Sequence, residues 1–280
     1  MGNKSKEVVI VNAIRTPIGK YRGSLKNIRS DQLGSIVIKE VLKKSKFVNE
    51  EIDEVIMGQV LTTGTGQNPA RQAAVNAGIP ISKPAHIINQ VCGSGLRAVI
   101  SGYQSIKLGE SNNVISGGQE SMSLAPHSIF YRDEKKLSED KLLDTMVNDG
   151  LIDAFNNYHM GVTAENVAKK FNITRQEQDE FAFNSQKKTE LAITNKKFNE
   201  ELVKINHNGN ILDIDEHPRI GLKMSDLEKL KTVFQDNGTI TPGNSSGIND
   251  GAAALLLSSL DEVKKKIDKT ISKDCIMVLS

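Results

Sequence analysis

Cys92 stands where a chain that reads as a strand gives way to a glycine turn and then a helix, in the stretch Asn89-Gln-Val-Cys92-Gly-Ser-Gly95-Leu-Arg-Ala98. A thiol at such a junction lies near the unpaired N–H groups of the first helical turn and the positive end of the helix dipole. Both favour the thiolate, which is the reactive form of cysteine. Backbone N–H groups at such a turn can also hold a developing oxyanion. The two glycines allow a ligand to come close to the main chain. This is the setting of a cysteine nucleophile.

The same residues support two other readings. Free cysteine is often a small buried hydrophobe, and Cys92 taken alone fits that. Gly93-Ser-Gly95-Leu-Arg-Ala98 also fits G-x-G-x-x-A between a strand and a helix, the context of a dinucleotide-binding turn. Glu120, 22 residues after Ala98, stands near the place of a ribose-binding acid. Elsewhere, His159 reads as a structural histidine, Met160 as core filler and Ser246 as a turn residue in a Gly/Asn-rich loop. Glu120 reads equally as an ordinary buried or capping acid. The five histidines show no metal-ligand spacing with one another or with Cys92 and Cys275, so no metal is expected.

These residues need a scaffold, and its elements follow from the apolar pattern. Strands are expected at Val8 to Val11, Glu54 to Val60, Ala85 to Asn89 and Val114 to Ser116, the last ended by Gly117-Gly118. Helices fall between them: one N-capped by Asp31 and running to Lys44, one over Pro69 to Ala77 after the Gly64-Thr-Gly66 turn, and one over Gly95 to Leu108. The β-α alternation predicts an α/β fold with a mostly parallel sheet covered by helices. From Ser121 to Ala164 the pattern lapses into a polar stretch with a helical hint over Asp140 to Asp149, and a loop of this length is usually functional. Helices resume at Thr163 to Lys170 and Thr174 to Lys196, the second opened by the capping box Thr174-Arg-Gln-Glu177. A hairpin is expected over Val203 to Ile205 and Ile211 to Ile214. A buried strand at Ala252 to Ser258, a Lys-rich helix from Asp261 and a strand at Ile276 to Leu279 complete the pattern. The expected division is residues 1–120 as the first part of a core domain, 121–247 as a loop region, and 248–280 as the last strand and helix of that core with the start of a further domain.

Bulk composition narrows the function classes. With 38% hydrophobic and 25% charged residues, the 280-residue chain can build a real core. A net charge of +2 from 36 basic and 34 acidic residues gives no reason to expect nucleic acid as a partner. Two distant cysteines do not make a disulfide framework, and no apolar run is long enough to span a membrane. The expected location is cytoplasmic, with no membrane partner.

The Asn89 to Ala98 stretch resembles the nucleophile motif of the thiolase family, N-x-x-C-x-S-G-x-x-A. Further blocks resemble that family in the same order: Thr16-Pro-Ile-Gly19, Gly117-Gly-Gln-Glu-Ser-Met-Ser123, Tyr158-His-Met-Gly-Val-Thr-Ala-Glu-Asn166, and Gly238 to Ala252 with Gly243-Asn-Ser-Ser-Gly247 inside it. Gly66-Gln-Asn-Pro-Ala-Arg71 fits as well. Within the family the likeness is strongest to biosynthetic acetyl-CoA acetyltransferases. It implies a thiolase-like fold with a central, mostly parallel five-stranded sheet and a long irregular loop insertion. It implies that Cys92 carries an acyl group in the condensation of two acetyl-CoA to acetoacetyl-CoA, or in the reverse thiolysis. Coenzyme A then belongs to the substrate, and no cofactor is implied.

By the same resemblance His159 and Met160 line the pantetheine channel, Leu151 contacts the adenine end of coenzyme A, and Ser246 contacts the pantetheine. Arg219 matches a basic residue near the coenzyme A nucleotide. Pro242 occupies a pocket-wall position where biosynthetic members usually have alanine. A homodimer or homotetramer is implied. The family also expects a histidine in G-H-P, a second cysteine in C-x-G-G-G and an asparagine in N-E-A-F, and these 280 residues contain none of the three motifs. Cys275 is followed by Ile-Met-Val-Leu and does not replace the second cysteine. The expectation is therefore a truncated chain, lacking the second half of the family fold and poorly active by itself. The alternative is a non-catalytic remnant that binds coenzyme A or pairs with a separately encoded C-terminal half.

Overall fold

The computed structural model describes residues 6–132, 142–207, 209–267 and 277–279. The first strand, β1 (Val8–Arg15), is followed by the short β2 (Gly19–Lys20) and helix α1 (Ser30–Ser45). Then come β3 (Glu54–Gly58), α2 (Pro69–Asn76), β4 (Ala85–Ile88), α3 (Ser94–Leu108) and β5 (Asn113–Ser121). The chain leaves the sheet here. It forms a ribbon of β6 (His127–Ser128) and β7 (Leu143–Asp144), then α4 (Thr145–Gly150), α5 (Met160–Phe171) and α6 (Arg175–Thr194). A hairpin of β8 (Ile205–His207) and β9 (Asn210–Leu212) and the short α7 (Met224–Glu228) lead back to the sheet. There β10 (Asn249–Ser259), α8 (Leu260–Ile267) and β11 (Met277–Leu279) follow.

Five strands in the order β1-β10-β5-β3-β4 make the body of the sheet, with β11 outside β1 and β2 attached to β10. The pairs β5-β3 and β3-β4 are parallel, while β10 is antiparallel to both β5 and β1. Four of the five strands therefore point the same way, and β10 alone runs against them. It can do so because it re-enters the sheet after the long excursion instead of through a βαβ crossover. The alanines and leucines of β10 are what a strand between two neighbours needs, since both of its faces are covered.

The core lies on both faces of the sheet. Leu33, Val37 and Val41 of α1 and Ala70, Ala73 and Ala74 of α2 cover one face, against Val9, Val55, Met57 and Leu256. Ala98 and Ile106 of α3 cover the other, against Ile56, Val114 and Leu257. Gly102 lets α3 come close, because a Cβ there would meet the hydroxyl of Ser116. The opposite side of α3 leaves Leu96, Ile100 and Leu108 exposed.

Several boundaries differ from the sequence expectation. Asp31 is not the N-cap of α1: Arg29 holds that position, and Asp31 is buried in the first turn with Oδ1 2.8 Å from Arg29 Nε. Gln32 Oε1 accepts the Arg29 N–H at 3.0 Å, so a glutamine three residues on does part of the capping. Strand β5 does not stop at Gly117-Gly118 but runs through them. Gly117 faces Met57 and Ala254, and Gly118 faces Gly58 and Ala253. A Cβ on Gly117 would collide with the carbonyl oxygen of Ala253, so here the glycine permits close pairing and does not end the strand. The helix expected over Asp140 to Asp149 is the shorter α4, and residues 133–141 lie outside the described residues. Cys275 lies outside them too. Helix α5 begins at Met160, three residues before the Thr163 start expected, because His159 caps it.

Candidate active site

Strands β3, β5 and β10 end around a cleft of about 500 Å³. The Gly58–Leu61 stretch, the Val91–Cys92 turn, Gln119 and Glu120 of β5 and Asn249–Ala253 of β10 line it. Gly150, Leu151 and Ser246 reach it from the excursion between β5 and β10. The sheet supplies the floor and the excursion supplies one wall.

Cys92 is an exposed free thiol at this cleft, just ahead of Gly93, the N-cap of α3. The residue before it, Val91, has φ +48°. A β-branched residue in that region is strained and persists only where its surroundings hold it. The holding contacts are explicit. Asn89 Oδ1 accepts the Val91 N–H at 3.0 Å. Ser94 Oγ accepts the Gln90 N–H at 2.8 Å and donates to the Val91 carbonyl at 2.6 Å. The turn is thus tied by the asparagine and the serine of the motif, and Cys92 needs no side-chain bond of its own. One expectation changes here. The N–H groups of Gly93 and Ser94 are already taken by the carbonyls of Gln90 and Val91, so neither is a free oxyanion donor.

Gly58 puts the end of β3 directly under this turn. A Cβ there would run into the backbone of Ser94 and Gly95. Immediately beyond, Val60 and Leu61 donate their N–H groups to the Glu120 carboxylate, Val60 at 2.8 Å and Leu61 at 3.3 Å. Burial pushes Glu120 up to about 7 against those donors, and the nearby Asp250 charge adds to the rise. Asp250 is buried too and raised chiefly for that reason, although it accepts from the Ser123 N–H at 2.9 Å and the Ser123 hydroxyl at 2.6 Å. Glu120 is therefore folded back onto main chain and does not stand free to face a ribose. That removes the support for a dinucleotide site.

The excursion brings Leu151 and Ser246 to the cleft, but His159, Met160, Arg219 and Pro242 do not line it. His159 and Met160 lie one step behind: Met160 N–H donates to the Leu151 carbonyl at 2.8 Å. His159 Nδ1 accepts the Gly161 N–H at 3.0 Å, which assigns the ring proton to Nε2. Its ring stacks on Phe234 with centroids 4.8 Å apart. Gly161 makes room for that stack, since a Cβ there would enter the Phe234 ring. Arg219 is exposed, with its N–H on Gln186 Oε1 at 2.9 Å. Pro242 is exposed beside the buried Thr241. Sequence reasoning gave no role to Phe234, and it read Glu120 as a buried or capping acid, or a ribose-binding one, without placing it at this cleft.

The excursion is fastened to the sheet by apolar packing of Ile205 and Leu212 and by a set of charged contacts. Arg15 Nη1 and Nη2 hold the two Asp215 oxygens at 2.7 and 3.0 Å, and Arg15 Nε holds Glu201 at 2.6 Å. Asp215 also accepts the Ile18 N–H at 2.7 Å, and the next residue, Glu216, accepts the Ser24 hydroxyl at 2.6 Å. Among the described residues no group of three or more His, Cys, Asp and Glu could hold a metal ion. Among them, too, no helix is long and apolar enough to cross a membrane.

Residues 8–261 match the family model described as the N-terminal domain of thiolase. The chain belongs to the thiolase family. Among the relatives of this thiolase chain, the acetyl-CoA acetyltransferase of Paracoccus denitrificans is 48% identical over 264 residues, covering 93% of this chain and 68% of that protein. The cytosolic acetyl-CoA acetyltransferase of Rattus norvegicus is 46% identical over 279 residues, covering 98% of this chain and 70% of that protein. The crystal structure of the Bacillus anthracis acetyl-CoA acetyltransferase superposes with a TM-score of 0.90 at 36% identity, covering 95% of this chain and 68% of that one. The thiolase fold and the five-stranded sheet expected from the motifs are both present, and the chain spans about two thirds of the length of these relatives.

Proposed function

We propose that this thiolase chain carries the acyl-accepting half of an acetyl-CoA acetyltransferase site, with Cys92 as the nucleophile. The Cys92 thiolate attacks the thioester carbonyl of one acetyl-CoA, the tetrahedral oxyanion collapses, and the coenzyme A thiolate leaves with a proton. The acetyl group is then a thioester on Cys92. A second acetyl-CoA loses a proton from its methyl carbon, and the carbanion attacks the enzyme-bound carbonyl. Acetoacetyl-CoA forms and Cys92 is released as the thiol. Splitting the transfer across a covalent intermediate replaces one hard step with two easier ones. The observation that carries this reading is an exposed, unpartnered thiol presented at a cleft by a strained turn. The names of the relatives supply the substrate.

Leu151 and Ser246, both at the cleft, are proposed as coenzyme A contacts. His159 and Met160 are proposed to support that wall from behind, with Arg219 and Pro242 towards the outside. Residues 121–247 on this reading supply the coenzyme A wall and flanking residues supply the core. A homodimer or homotetramer in the cytoplasm is proposed with it. The family's base and second cysteine sit in motifs that these 280 residues do not contain. General acid–base help is worth roughly 10²–10⁴-fold per group, so a polypeptide of these residues is expected to be acylated but to turn over slowly. Exposure to acetyl-CoA followed by intact-mass and peptide analysis should find one acetyl group on Cys92, absent from Cys92→Ser. Coenzyme A binding with no adduct would sink the nucleophile and favour a binding remnant.

A further inference from the structure

We infer that Glu120 is a positioning residue for Cys92, acting through the Val60–Leu61 backbone and Asn89. The inference deepens the reading of Cys92 as the nucleophile and rests on it. The contacts form one line. The Glu120 carboxylate holds the Val60 and Leu61 N–H groups at 2.8 and 3.3 Å. The Val60 carbonyl faces Asn89 Nδ2 at 3.5 Å, and Asn89 Oδ1 accepts the Val91 N–H at 3.0 Å. Val91 is the residue at φ +48°, and Cys92 is next in the chain.

Two features give this line its meaning. Gly58, two residues before Val60, is pressed against the nucleophile's helix, because it meets the Ser94–Gly95 backbone without room for a Cβ. A shift of the Val60 backbone, which borders the open cleft on one side, is transmitted on the other through Gly58 and Asn89 to the turn that carries Cys92. Second, among the described residues no cation pairs with Glu120, which sits beside another buried acid, Asp250. Leaving a buried carboxylate without a cationic partner is costly. What it gains here is a pair of acceptor oxygens that fix two consecutive main-chain donors of the cleft wall.

The comparison of Glu120→Ala with Glu120→Gln isolates positioning, because both remove the charge and only Gln keeps an oxygen that can accept from Val60 or Leu61. The readout is the rate at which the full 280-residue chain is alkylated on Cys92 by iodoacetamide, with circular dichroism as a check on folding. That reagent is uncharged and does not need coenzyme A recognition. Small misplacements of reacting groups cost up to about two orders of magnitude, so Glu120→Ala is expected to react roughly ten-fold or more slower than Glu120→Gln. Equal rates in the two variants would overturn the inference, whether both match the wild type or both depart from it through the lost charge. If Glu120→Ala does not fold, Asn89→Ala decides. Asn89 is exposed and stands at the other end of the line, so its truncation must slow alkylation by a similar factor, and an unchanged rate overturns the inference. Wild-type protein that alkylates but takes no acetyl group from acetyl-CoA would refute the proposed function while leaving this inference standing.

Discussion

At the scale of single residues, the cleft is unusual in how its acids are held. Glu120 titrates at about 7 instead of its ordinary 4.5, because burial disfavours its charge. Its folded value lies above its unfolded value, so between the two the folded protein binds the proton more tightly. Stability from this group is present at low pH and is lost as pH rises through about 7. A shift of this size corresponds to about 3 kcal/mol at most. Asp250 is displaced in the same direction and for the same cause, so the two buried acids add. Glu120→Gln removes the penalty. Its melting temperature is expected to exceed that of the wild type at pH 8 and to converge with it near pH 5. A difference that stays constant across that range would mean that folding does not raise the Glu120 carboxyl, which is then already charged in the folded state at pH 5.

At the scale of elements, the site depends on close backbone approaches that side chains would forbid. The end of β3 packs onto the first turn of α3 through Gly58, and β5 packs onto β10 through Gly117. Gly58→Ala forces the backbone of Ser94 and Gly95 to move, and overpacking of this kind costs about 1–3 kcal/mol. Because that backbone carries the Cys92 turn, the variant should also lower the iodoacetamide rate at a temperature where it is still fully folded. Loss of stability with an unchanged rate would show that β3 supports α3 without setting the thiol.

Legibility in the sequence divides along the same line. Strand and helix positions in the first 121 residues followed from apolar periodicity, since β1, β3 and β4 and helices α1 to α3 each have a face to bury. What failed was local. Gly117-Gly118 read as a stop because glycine usually interrupts a strand, and only the partner β10 shows that the missing side chains permit pairing. Asp31 read as a cap because aspartate is a good one, but Arg29 and the buried turn beneath it moved the boundary by two residues. The motif singled out Cys92, and its thiol is exposed at the cleft. The Glu120 contacts with the Val60 and Leu61 N–H groups were not legible, because Glu120 is 28 residues from Cys92 and binds main chain, which leaves no side-chain pattern. Phe234 likewise meets His159 only because the excursion folds back on itself.

At the scale of the whole molecule, the two faces of the sheet are treated unequally. Helices α1 and α2 are sealed into the larger core, whereas α3 turns Leu96, Ile100 and Leu108 to the outside, 69%, 38% and 70% exposed. Nothing among the described residues covers that row. Replacing Leu96 and Leu108 together by aspartate touches no buried contact, so the stability of the 280-residue polypeptide should change by less than about 0.5 kcal/mol. Its self-association, followed by light scattering, should fall. A large drop in melting temperature would instead mean that these leucines are already covered in solution.

The fastening of the excursion to the sheet sets how the molecule breathes. Arg15 and two consecutive acids, Asp215 and Glu216, clip that segment to β1 and to the turn after it. The same segment also places Ile205 and Leu212 in the larger apolar core, so charge and packing hold it together. Protonating or screening that clip would weaken the charged anchor of one wall of the cleft, while the Cys92 turn keeps its uncharged hydrogen bonds, so salt and acid act on the wall before they act on the thiol's geometry.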